Sequence, residues 1–352
     1  MADPKDSGAR ARAKVITRKY DAYVVAASAN GRLFGVAFGD GNVRLVDSET
    51  PEADPVTVAA HSGAVLCLAP DITPGSFLTG GDDGKLMRIA PPDVCEVIAE
   101  EKGRWIDQVT AHAGSGVRVY AAGKEATILP KGSPKNDKAA PRKLKHPTGV
   151  GGLAINPKGK RLAVSHYNGV SLWWLGAEGN ATVLEWKGSH LNLAWSPDGE
   201  HLISIMQENS LHGWRLSDNE HMRMTGYGAK VRSMAFTKRG HFLATGGADA
   251  IICWPFTGGG PMGRAPLEFG YAGGAPVTAV ASNPKHDVLA AGFEDGTVII
   301  GQPGPATPAL IVMGSGVLGE GKGITAMAWN PDGDRLLAGA EDGTLHLADF
   351  RL

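Results

Sequence analysis

The chain has 352 residues, 43% of them hydrophobic, with 35 Lys+Arg against 36 Asp+Glu and a formal net charge of −1. That balance excludes the strong basic excess of a wholesale nucleic-acid binder, and the ordinary apolar content excludes a disordered chain. Gly 49 and Pro 22 together exceed their usual share, which suits a turn-rich β fold. No apolar run approaches the roughly 18–20 residues of a transmembrane helix. The start, MADPKDSGARARAKV, lacks the apolar stretch of a secretory signal. Cys67, Cys95 and Cys253 lie far apart with no CxxC spacing, and read as reduced, buried thiols of a cytoplasmic protein.

In chain order, residues 1–13 read as a mobile basic tail, and 14–352 as one domain that opens on a strand, KVITRK (14–19). A unit then begins as AASANGRLFGVAFGDGNVRLVD: apolar strand, turn, apolar strand, acidic-Gly turn, third strand. It recurs as LAPDITPGSFLTGGDDGKLMRIA, weakly as QVTAHAGSGVRVYAAGKEATILP, then as LAINPKGKRLAVSHYNGVSLWWL and LAWSPDGEHLISIMQENSLHGWRL. SMAFTKRGHFLATGGADAIICWPF (233–256), AVASNPKHDVLAAGFEDGTVIIG and AMAWNPDGDRLLAGAEDGTLHLADF (326–350) complete eight copies. Gly41, Gly84, Ala126, Gly169, Asn209, Ala250, Gly296 and Gly343 each open the third strand, about 43 residues apart on average. Apolar residues alternate or run in short stretches between Asp-Gly, Pro-Asp-Gly and Gly-Gly turns, the pattern of an antiparallel meander.

At these residues the chain resembles the WD40-repeat family: WSPDG (195–199), WNPDG (329–333), EDGTV and EDGTL match, and Trp174, Trp214 and Trp254 take the terminal Trp place. The resemblance implies an all-β propeller of four-stranded blades. Eight blades are expected, with seven as the alternative because the copy near 106–130 is degenerate. It also implies that 14–19 pairs with the final strand near 344–350 to close the ring. The Trp-Asp dipeptide is nowhere complete, and the family's His place holds Tyr20, His61, Lys102, His146, Lys187, Tyr227, Gly273 and Glu320. Of the family's polar network, His146 with Ser165 and Trp174 comes closest, with Asn168 where its Asp belongs.

Candidate chemistry is sparse. The Gly-rich GSGVLGEGKGIT (314–325) nearly fits a phosphate loop, but Gly323 replaces the Ser/Thr and a strand follows, so nucleotide binding is not expected. Eleven histidines show no metal spacing, and no catalytic motif emerges. No cofactor, metal or enzyme activity is expected. The basic, Pro-rich 131–147 reads as a solvated loop without the aromatics of a nucleic-acid site. Acidic turns at Asp40, Asp82-Asp83, Glu125, Glu208, Asp249, Glu294-Asp295 and Glu341-Asp342 fall on one rim, and the doubled ones leave a spare carboxylate.

The resemblance implies a rigid interaction platform, monomeric by itself, holding protein or peptide partners, with neither nucleic acid nor membrane as partner. A channel-based enzyme or ligand binder is the alternative. Loops entering the innermost strands share the acidic rim. These loops and the acidic turns together offer Tyr23, Arg104, Trp105, Tyr167, Asn168, Gln207, Lys230, Phe293 and Lys322 as partner-binding residues, with Trp105 foremost.

Overall fold

The computed structural model describes residues 13–92, 94–129, 140–304, 310–313 and 322–351. The outermost tail and most of the Gly-rich and basic loops singled out above therefore lie outside the described residues. Alternating short apolar strands and tight turns fold into antiparallel sheets, with no helix among the described residues. No helix there is long and apolar enough to cross a membrane.

Seven sheets form the ring, which is the alternative count and corrects the expectation of eight. Six have four strands and one has six. The eight hairpins of the sequence are all present, but the fourth and fifth copies share the six-stranded sheet. Its strand Arg161–Trp174 is 14 residues long and doubles back, since Leu175 N–H donates to the Lys160 carbonyl at 2.9 Å. An extended strand of that length would hold those groups more than about 40 Å apart. The next strand, Thr182–Trp195, belongs to both copies: its first half pairs with Gly169–Leu172 and its second with Leu202–Met206. Elsewhere several residues separate one outer strand from the following inner strand. Here Lys187 and Gly188 (φ 122°) suffice, so the strand runs on as one, with register shifts in its two ladders between Tyr167 and Gly169 and between His190 and Leu193.

Ring closure is as expected. Lys14–Lys19 pairs antiparallel with Thr344–Asp349, in register Lys14↔Asp349 to Lys19↔Thr344. Arg18 adds a clamp to the first sheet, donating to the carbonyls of Pro51, Glu52 and Ala53 at 2.8 Å each. Lys19 pairs with Asp342. Burial alone would raise the Asp342 carboxyl, but Lys19 and the Thr344 N–H bring it down to about 2.

The core lies in seams between neighbouring sheets. Val24, Phe34 and Phe38 of the first sheet pack on Leu337, Leu345 and Leu347 of the last. Each such fully buried side chain contributes about 1.5–3 kcal/mol. Neighbouring sheets approach closely: a Cβ on Gly35 would lie 2.8 Å from the Phe77 ring of the next sheet, so only glycine fits. The glycine opening the third strand has a different task. Gly41 (φ 84°) turns the chain so that its carbonyl accepts Ala60 and His61 N–H groups at 3.1 Å, and Gly84 and Gly343 repeat the arrangement.

The polar network is distributed otherwise than expected. His61 Nδ1 meets Asp83 at 2.9 Å and Nε2 meets Thr79 at 2.9 Å, a complete His–Thr–Asp set in the second sheet. Around His146 the partner is Trp173, whose indole N–H donates to Nε2 at 3.1 Å; Trp174 is half exposed beneath the Arg161 guanidinium. Tyr227 stands in for histidine in the sixth copy, accepting from Trp254 at 2.7 Å and sharing a hydrogen bond with Thr245 at 2.8 Å. Of the cysteines only Cys253 is buried, where burial raises its thiol to about 12; Cys95 is exposed, against expectation.

A seam of histidine and tryptophan runs along the six-stranded sheet. Trp186 stacks on His212 with ring centroids 3.9 Å apart, and His212 Nε2 lies 3.0 Å from His221 Nδ1. Burial, then the nearby His221 and His190, lower His212 to about 3; burial and His166 lower His146 to about 4. Both therefore stay neutral in the fold while their unfolded counterparts protonate near pH 6.5. The associated stability is full above pH 6.5 and is lost as pH falls toward 4. By pH 5.5 the loss is about 1.4 kcal/mol for each histidine. Melting temperature should change little between pH 7.5 and 6.5 and fall from there to pH 5.5, and His212→Phe should flatten that fall. An unsloped wild-type profile would rule the effect out.

Candidate functional site

Antiparallel pairing puts the turn between second and third strands at the same end of each sheet as the loop entering the first strand. Contacts between adjacent sheets join those ends into one rim, as where Lys230 Nζ donates to Gln207 Oε1 at 3.0 Å. Of the nine predicted residues, eight reach the surface of this rim. Tyr23 is 51% exposed, Trp105 64% and Tyr167 49%, large values for aromatic side chains, while Asn168, Gln207, Lys230 and Lys322 are exposed beside them. Phe293 is the correction. It is fully buried, packed with Val277, Leu289 and Ile299, because alternation along Leu289–Phe293 turns Leu289, Ala291 and Phe293 to one side of the strand, into a seam.

Arg104 is partly committed to the fold. Its guanidinium pairs with Glu101 and lies 3.8 Å from Glu125, next to the Ala122 carbonyl. Asn168 also holds the backbone: it takes φ 68° and its Oδ1 accepts the Gly188 N–H at 3.1 Å. The rim contains a further aromatic that the repeat pattern did not flag, Tyr271, 67% exposed in the loop before Val277–Ser282. The only sequence signal for it is position, since it occupies the same loop in the seventh copy that holds Trp105 in the third.

The acidic turns divide into two kinds. Asp40, Asp83, Asp295 and Asp342 each accept the backbone N–H two residues on, at 2.9–3.1 Å, and so brace their turns. Asp82, Glu208, Asp249, Glu294 and Glu341 have no side-chain partner among the described residues and leave free negative charge at the rim. Concavity concentrates on the six-stranded sheet. A cleft of about 760 Å³ and another of about 350 Å³ share Tyr167, Trp186 and Lys187, the first reaching His166 and the second Glu208 and Arg223. Among the described residues no cluster of His, Cys, Asp and Glu has metal-binding geometry. An exposed aromatic between two clefts offers apolar area and a polar edge to a macromolecular surface.

The family model described as WD domain, G-beta repeat matches residues 219–254, 268–300 and 315–349. Those stretches cover the last three sheets, and each starts near one sheet's outermost strand and ends near the third strand of the next, the register that closes the ring. No curated protein matches the chain.

Proposed function

We propose that this WD40-repeat β-propeller is a non-catalytic interaction scaffold of the cytoplasm, docking partner proteins or peptides on the rim that carries Trp105. Propellers of this family generally bind proteins. The observation that carries the reading is four exposed aromatics on one rim, Tyr23, Trp105 and Tyr271 on loops and Tyr167 where the strand Arg161–Trp174 doubles back. Each lies on a short segment held by a stiff sheet, so little order has to be gained on binding. Interface energy concentrates in such side chains, and the free carboxylates and lysines among them add orientation.

Because Trp105 is 64% exposed, Trp105→Ala should leave the melting temperature unchanged. It should weaken capture of a partner isolated on the immobilised protein by about 2 kcal/mol, roughly 30-fold. Arg104 is retained in this test because its ion pairs support the fold. A folded variant that captures the partner normally would move the site off this rim.

A further inference from the structure

A cleft of about 580 Å³ opens at the sixth copy, on the same rim as Lys230. Its walls follow from strand register. Ile252 pairs with Glu268 across Ile251–Pro255 and Leu267–Phe269, so these two side chains share one face, and alternation adds Trp254 to it. Ile251 and Cys253 turn to the other side and are fully buried. The indole of Trp254 is held edge-on by its hydrogen bond to Tyr227, which is itself anchored on Thr245. Pro266 and Pro276 complete an apolar wall, and Asp249 stands at the turn before Ile251.

The charge of this cleft is one-sided. Asp249 and Glu268 are its ionisable residues apart from Tyr227, and no Lys, Arg or His lines it. Both carboxylates are exposed and unpaired among the described residues, whereas Asp83, Asp342 and Glu125 on the same rim are each engaged. Two unpaired carboxylates beside an oriented indole match one chemical group well. A guanidinium is flat, permanently charged, weakly hydrated, able to lie against an aromatic face, and shaped for two parallel bonds to a carboxylate. A hard divalent cation would need more oxygen donors than an apolar wall supplies.

We propose that this cleft receives the guanidinium of an arginine presented by an extended segment of a partner protein. The proposal rests on the scaffold reading above and gives it a specific chemistry. The test uses the full chain and fluorescein-labelled pentapeptides, Gly-Ala-Arg-Ala-Gly and versions with citrulline or lysine at the centre, read by fluorescence anisotropy at low salt. The arginine peptide should bind saturably. Citrulline, which keeps the shape and drops the charge, should bind at least about tenfold more weakly. Asp249→Asn combined with Glu268→Gln should lose arginine-peptide binding to the same degree with an unchanged melting curve, as both residues are exposed.

Trp105→Ala should leave the peptide affinity intact, which separates this cleft from the wider rim. If Trp105→Ala fails to affect partner capture, the docking site assigned to the Trp105 rim falls, while the peptide measurements still decide the cleft. Absence of saturable binding, equal binding of citrulline, tighter binding of lysine, or unaltered affinity in the double variant would each overturn the cleft.

Discussion

Deleting residues 1–19 is expected to cost most of the protein's stability, although the segment looks like a dispensable tail. The strand Lys14–Lys19 is largely exposed, with Val15 at 38%, so apolar burial is the smaller part of its contribution. The larger part is backbone. Six residues pair with Thr344–Asp349, and at about 0.5–1.5 kcal/mol per hydrogen bond such a ladder contributes roughly 3–9 kcal/mol. Arg18 and Lys19 fix the strand at both flanks. Whole domains are stable by only about 5–15 kcal/mol, so the loss is of the same order as the total. Truncation also bares the edge of Thr344–Asp349, and exposed edges pair with other chains. Thermal denaturation and light scattering of the truncated protein check both effects. A melting temperature equal to wild type would mean that seam packing alone closes the ring.

Asp71→Ala is expected to be the most damaging single substitution, by about 3–5 kcal/mol. Asp71 is 4% exposed at the end of Val65–Pro70. Its carboxylate accepts from Arg118 of the third sheet at 2.9 Å and from Arg88 of its own sheet at 3.0 Å. The Asp71 carbonyl takes a bond from Asn30 of the first sheet at 3.0 Å. Burial would raise the Asp71 carboxyl, but the Arg118 guanidinium outweighs it and holds the group below the usual range. Alanine keeps the backbone bond and strands a buried guanidinium. Urea unfolding should show the full loss for Asp71→Ala and a smaller one for Asp71→Asn, which still accepts a hydrogen bond. A loss under about 1 kcal/mol for alanine would show that Arg118 finds water instead.

The fold was legible because eight copies of one pattern average out local ambiguity. Asp-Gly precedes the third strand in only four copies, at Gly41, Gly84, Gly296 and Gly343, and it gains strength from the apolar strands that recur around that position in all eight. The sheet count was less legible, since it depends on whether the strand continues through Lys187-Gly188. The one hint was spacing, as the 40-residue step from Gly169 to Asn209 is the shortest in the chain. The rim was legible through position, and this placed eight of nine residues at the surface. Phe293 failed because proximity to an acidic turn was weighted above strand alternation, which points it inward with Leu289. Tyr271 escaped because the Gly-rich stretch around it, 257–274, has no period to anchor a register. Trp174 and Trp173 were exchanged by a single residue, and one residue is what flips a side chain to the other face of a strand.

The shared strand Thr182–Trp195 has a consequence for how the ring comes apart. Sheets that share no strand, and meet through side chains and a few loop hydrogen bonds such as Gly247 N–H to the Val277 carbonyl, can release one another while keeping their own ladders, so each is able to open by itself. The fourth and fifth copies have no such freedom, because freeing either one breaks the strand that both need. Amide hydrogens from Gly152 to Met224 should therefore exchange as one block with a common opening energy, while the neighbouring sheets exchange in separate, smaller units. The ring then opens first at some other junction, and this double-width segment is the last piece to lose its order.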